Sequence, residues 1–171
     1  MTRARRAALT AAVSASVLVA AAPAAVAKKP AVCRAGVIQQ ALIDAGKITL
    51  QDVDLGVVVD RVRCGDVTND GHKDALFGLA SGGTAGDTRF GVLRGAADGS
   101  ADRLVLYRQG YKIGIARRNK RSFEVIQPHY KANDPNCCPS SFRLRRYTWH
   151  GDHFKAGKAK KRKHVPPRFL T

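Results

Sequence analysis

The stretch Cys64-Gly65-Asp66-Val67-Thr68-Asn69-Asp70-Gly71-His72-Lys73-Asp74 sets a cysteine at the mouth of an aspartate-rich turn. Asn69-Asp70-Gly71 is hairpin chemistry: Asn and Gly accept positive φ, and Asp side chains bond nearby backbone N–H groups. Upstream, Val53, Leu55, Val57 and Val59 alternate with Asp54, Gly56, Val58 and Asp60, the period of a strand running toward Cys64. Downstream, Ala75-Leu76-Phe77-Gly78-Leu79-Ala80 is a continuous apolar run, a more fully buried strand that Ser81-Gly82-Gly83 ends. Two such strands on either side of a short turn pair antiparallel.

Working outward, Val37, Ile38, Ala41, Leu42 and Ala45 form an apolar stripe at helical spacing, and Gly46 stands where a C-cap belongs. Further strands are expected at Arg89–Leu93, Leu104–Tyr107, Ser122–Ile126 and Phe142–Trp149. Trp149-His150-Gly151-Asp152-His153-Phe154 reads as a tight hairpin returning a last short strand. A helix followed by strands on short turns predicts an α+β fold, an N-terminal helix packed on an antiparallel sheet.

The quoted turn also carries the pattern D-x-T-x-D-G-x-x-D, with oxygens from Asp66, Thr68, Asp70 and Asp74 and a glycine at the bend. Calcium takes such oxygen sets, so these four residues are the candidate metal ligands. The match is partial: the position of an EF-hand glutamate holds Phe77, and Lys73, Arg61 and Arg63 offset the site's charge.

Residues 1–27 read as a signal peptide. Arg3, Arg5 and Arg6 precede an uncharged run from Ala7 to Ala22, and Pro23 comes just before Ala25-Val26-Ala27, a small-x-small cleavage signal. The alternative is a retained anchor, since the apolar run is nearly long enough to span a bilayer. A lipid-anchoring signal is not expected, because Pro30-Ala31-Val32 stands before Cys33. Export favours disulfides, and the four cysteines allow three pairings. A bridge within Cys137-Cys138 closes a strained ring through neighbouring residues, so Cys33 and Cys64 are each expected to bond one member of that doublet. A zinc site built from Cys64, Cys137, Cys138 and one of His72, His129, His150 or His153 is the functional rival, without a Cys-x-x-Cys to support it.

Thirty Lys and Arg against 13 Asp and Glu give a formal charge of +17, which favours anionic partners. Seven basic residues close the chain: Lys155, Lys158, Lys160, Lys161, Arg162, Lys163 and Arg168. With Pro166-Pro167 and no apolar period, residues 155–171 are expected to be a disordered anion-binding tail following a single domain over 28–154. Tyr111, Tyr130, Tyr147 and Trp149 with Arg117, Arg118, Arg145 and Arg146 suggest an aromatic-basic face, or simply the solvated side of strands.

The helix, the Cys-Gly-Asp-Val-Thr-Asn-Asp-Gly segment, and Asp134-Pro135-Asn136-Cys137-Cys138-Pro139-Ser140 followed by Tyr147-Thr148-Trp149 are similar to the small actinobacterial LppP/LprE-type envelope proteins. The resemblance spans most of Cys33 to Phe154 and implies an envelope location and disulfides rather than a reaction. Catalysis has little to stand on. Ser140 or Ser141 with His129, His150 or His153 and an aspartate spells a triad, but no nucleophile elbow orders it. The expected function is a secreted, noncatalytic binding module whose cationic tail meets an anionic envelope polymer or membrane surface, with no specific nucleic-acid target. A calcium-stabilised structural domain and a secreted hydrolase are the alternatives.

Overall fold

The computed structural model describes residues 29–169; the expected signal peptide lies outside them. Among the described residues, 45% are in strands and 15% in helices, which makes the fold mostly β rather than an even α+β mixture.

The chain opens with a 3-10 turn at Ala31–Cys33, helix α1 at Ala35–Asp44 and a short helix α2 at Leu50–Asp54. Helix α1 buries Ile38 and Leu42, one turn apart, and Gly46 follows it at φ 60°. The alternation expected from Val53 onward begins only at Val57, because a capping box starts α2 first. Thr49 Oγ1 accepts from the Asp52 N–H at 3.1 Å, and Asp52 accepts from the Thr49 N–H at 2.8 Å.

Strands β1 (Val57–Gly65), β2 (Asp74–Ser81), β3 (Asp87–Gly95) and β4 (Ala101–Gln109) form an antiparallel meander in that order. The quoted stretch is the first hairpin, closed by the pair Gly65 and Asp74, with Asn69 at φ 58° and Gly71 at φ 87°. A second sheet holds β5 (Gly114–Asn119), β6 (Ser122–His129), β7 (Ser141–Trp149), β8 (Phe154–Ala156) and β9 (Lys160–Arg162). Strand β8 pairs with β7 at Tyr147–Trp149, and β9 pairs with the same edge at Phe142–Leu144.

Side chains alternate to fill three apolar layers. Leu76, Phe90, Val92 and Leu106 of the first sheet share one core with Ile115, Phe123, Val125, Tyr147, Trp149 and Phe154 of the second. Ala75, Phe77, Leu79 and Leu93, on the opposite face of the first sheet, share a cluster with Ile38 and Leu42. On the far side of the second sheet, Phe169 is buried with Ala116, Ile126 and Leu144.

Two expectations are corrected here. The basic C-terminal segment is not a disordered tail through the described residues: it supplies β8, β9 and a 3-10 turn at Pro167–Phe169. Its charged side chains stay in water while its backbone caps the open edge of β7, and Phe169 anchors it. The disulfide pairing also differs. Cys33 bonds Cys64, their Cα atoms 5.6 Å apart, because the first 3-10 turn lies against the end of β1. Cys137 bonds its neighbour Cys138 in the exposed β6–β7 connection, on the other sheet. Among the described residues no helix is long and apolar enough to cross a membrane.

Candidate functional site

Strand β7 distributes the basic residues. Its sequence Ser141-Phe142-Arg143-Leu144-Arg145-Arg146-Tyr147-Thr148-Trp149 alternates faces, so Arg143 and Arg145 share the side of Tyr147 and Trp149, and Arg146 shares that of Leu144. The two sets open into two different grooves.

The first groove lies on the outer face of the second sheet and has a volume of about 400 Å³. Arg118 from β5, Arg146 from β7, Lys160 and Arg162 from β9, Lys158 before it and Arg168 of the last turn line it around one carboxylate, Glu124 of β6. Glu124 is only 5% exposed at its side chain. Its Oε2 accepts from Arg168 Nη2 at 2.6 Å and Nε at 2.9 Å, and its Oε1 accepts from Arg146 Nη2 at 3.2 Å. Burial pushes the Glu124 carboxyl up, but these bonds and the charges of Arg168 and Arg118 outweigh it and hold the group below the usual range. Glu124 is therefore ionised and doubly engaged, and four further cationic side chains remain at the groove. Of the six expected anion-binding residues, the structure brings Lys158, Lys160 and Arg162 together here. Lys155, Lys161 and Lys163 are exposed and do not line it. Arg118, Arg146 and Arg168 complete the set, which depends on strand pairing rather than on nearness in sequence.

The second groove, about 310 Å³, opens between the two sheets. Arg108 and Gln109 from β4, Gln127 from β6, and Arg143 and Arg145 from β7 stand over a floor that includes Phe90, Tyr147 and Phe154.

The aspartates of the quoted turn act as braces. Asp74, fully buried, accepts at Oδ2 from the Val67 N–H at 2.8 Å, the Thr68 N–H at 3.0 Å and the Thr68 hydroxyl at 3.1 Å. Its Oδ1 accepts from the Gly95 N–H at 3.1 Å, tying the turn to the end of β3. Burial pushes the Asp74 carboxyl up against the pull of these donors. Asp66 accepts from the Asn69 N–H at 2.6 Å, and Asp70 accepts from the His72 N–H at 2.9 Å and from Arg94 Nε at 2.8 Å. The oxygens that calcium would need are thus turned onto N–H and O–H donors, and Thr68 gives its hydroxyl proton to Asp74. The four residues fit a hydrogen-bonded turn better than an ion cage. Among the described residues no group of three or more His, Cys, Asp or Glu side chains converges as a metal site would require.

The other candidates are dispersed. Of the expected aromatic-basic set, Arg145 and Tyr147 line the second groove, Trp149 is a core residue, and Tyr111 and Tyr130 meet edge to face at 6.2 Å beside Lys112. Asn136 receives the Tyr130 hydroxyl at its carbonyl, 2.8 Å, and the Tyr111 hydroxyl at its side chain, 3.0 Å, which fixes the loop that presents the cysteine doublet. Ser140 bonds Asp134. Ser141 lies opposite His129 in register, but its hydroxyl oxygen is buried and has no hydrogen-bond partner. His150 and His153 face each other across the β7–β8 turn, 6.0 Å apart. No serine, histidine and aspartate assemble as a triad among the described residues.

No protein-family model matches the chain, and no curated protein or solved structure matches it.

Proposed function

We propose that the protein is an exported, noncatalytic binding module of the cell envelope or its surroundings, and that it holds an anionic polymer on the outer face of its second sheet. One observation carries this: six basic side chains from four separate segments converge on one groove whose sole carboxylate is already paired. Assembling like charges costs stability, and a polyanion lying along β9 relieves the repulsion while releasing its own counterions. Export rests on the leader-like residues 1–27, and the envelope setting on the resemblance of the Cys-Cys-Pro-Ser doublet and the Cys-Gly-Asp-Val-Thr-Asn-Asp-Gly segment. The anionic partner expected of a flexible tail is thus assigned to a folded surface.

The test is co-sedimentation of the full chain with a teichoic-type phosphodiester polymer over a salt series, beside the variant Lys158→Gln/Lys160→Gln/Arg162→Gln. These side chains are exposed, so the variant keeps the fold. Binding should weaken as salt rises, and the variant should bind less at low salt with a shallower salt dependence. Equal binding by parent and variant overturns the assignment to this face; binding to anionic vesicles but not to the polymer moves it to a membrane surface.

A further inference from the structure

We propose that the groove between the two sheets is a separate site for a small organic anion, one with a phosphate or carboxylate head and an apolar body. It goes beyond polymer binding in both place and ligand.

The head is defined by Arg108, Arg143 and Arg145, which line the groove with no carboxylate among the lining residues. None of the three makes a salt bridge among the described residues, in contrast to Arg61, Arg94, Arg118, Arg146 and Arg168, each of which stands by an aspartate or glutamate. Arg108 gives one N–H to the Tyr107 carbonyl at 3.1 Å, and Arg143 stands 3.5 Å from the His129 ring nitrogen. All three residues are exposed. Guanidinium forks match the oxygens of carboxylate and phosphate, and Gln109 and Gln127 add neutral donors at the same rim.

The body is defined by the floor. Phe90, Val125, Tyr147 and Phe154 are each at most 7% exposed, and all four line this groove. Phe90 meets Tyr147 edge to face at 5.5 Å, and Phe123 stacks on Tyr147 at 5.1 Å from below, so the floor is rigid. A groove of about 310 Å³ is at the small end of ligand sites, and suits a single ring or short acyl chain with its head. A bare anion would leave the aromatic floor wet, and an uncharged ring would leave three guanidinium groups repelling one another. The two halves together select an amphipathic anion.

The test uses phenyl phosphate as probe, measured by calorimetry on the full chain, with inorganic phosphate and phenol as half-ligands. Phenyl phosphate should bind at least about tenfold more tightly than either half, as a few charge-assisted bonds and one buried ring allow. Arg143→Gln/Arg145→Gln should weaken it by about tenfold or more, whereas Lys158→Gln/Lys160→Gln/Arg162→Gln should leave it unchanged. Arg143 and Arg145 are exposed, and an unaltered circular dichroism spectrum and melting temperature show that the variant is folded. Inorganic phosphate binding as tightly as phenyl phosphate, or a full affinity retained by Arg143→Gln/Arg145→Gln, overturns the site. Loss of phenyl phosphate binding in the outer-face variant alone also overturns the site and places the anion in the other groove.

Discussion

Replacing Asp74 by Asn tests whether the aspartate-rich turn is a structural brace. The carboxylate accepts three bonds at one oxygen and one at the other, all from buried donors. Asparagine has one acceptor oxygen. With that oxygen facing Val67 and Thr68, its NH2 group meets the Gly95 N–H donor to donor, and a buried N–H goes unpaired at about 1–3 kcal/mol. The three remaining bonds lose their charge assistance, roughly a further 1 kcal/mol each. Relief of a buried charge returns part of this, which leaves a net loss of about 2–3 kcal/mol. In denaturant titration the midpoint should fall at unchanged slope, and the melting temperature should drop by about 6–12 °C. Asp98→Asn is the control, because Asp98 braces Ser100 in the same chemical sense from an exposed turn and should cost under about 0.5 kcal/mol. If Asp74→Asn costs no more than Asp98→Asn, the brace is not what holds the hairpin to β3.

Four further perturbations test other parts of the structure. Removing the Cys33–Cys64 bridge as Cys33→Ala/Cys64→Ala frees a separation of 31 residues and should cost about 3–4 kcal/mol. Cys137→Ala/Cys138→Ala closes no such loop and should cost under about 1 kcal/mol; peptide mass spectrometry under non-reducing conditions reads the pairing directly. Asp87 is pushed up to about 6, first by burial and then by Asp60, against the charge of Arg61. Its unfolded carboxyl ionises from about 3.8, so the folded state binds the proton more tightly, and this contribution to stability is lost as pH rises from about 4 to 6. The parent should therefore lose about 2–3 kcal/mol relative to Asp87→Asn across that window, seen in paired melting curves; parallel curves would contradict it. Adding calcium or a chelator should leave the melting temperature unchanged, since the turn oxygens already accept hydrogen bonds, and a calcium-dependent rise would restore the ion-cage alternative.

Much of the local structure was legible because it is carried by short-range chemistry. The Asn69-Asp70-Gly71 turn, the Ile38 and Leu42 stripe and the Trp149 to Phe154 hairpin all form where side-chain period and turn residues indicate. Strand β5 is not legible in the sequence, because Arg117-Arg118-Asn119-Lys120 masks the alternation begun by Ile113 and Ile115. The Thr49 to Asp52 capping box is visible in the sequence and competes there with the strand-like period of Val53 and Leu55. Partition into two sheets was less accessible, although the continuous burial of β2 is what a strand covered on both faces requires.

The C-terminal segment shows why composition alone misassigned a surface. Lys160-Lys161-Arg162 has the makeup of a solvated tail, and all three side chains are indeed exposed. What orders the segment is supplied from elsewhere: the unpaired edge of β7, the apolar patch of Ala116, Ile126 and Leu144 that receives Phe169, and the carboxylate of Glu124 that receives Arg168. A free polybasic tail offers its charges in any arrangement. Pairing β9 to Phe142–Leu144 instead fixes Lys160 and Arg162 beside Arg146, and the period of β7 keeps Arg143 and Arg145 on the other side. Adjacent arginines 145 and 146 therefore line different grooves, one floored by aromatic side chains and the other gathered around a single carboxylate.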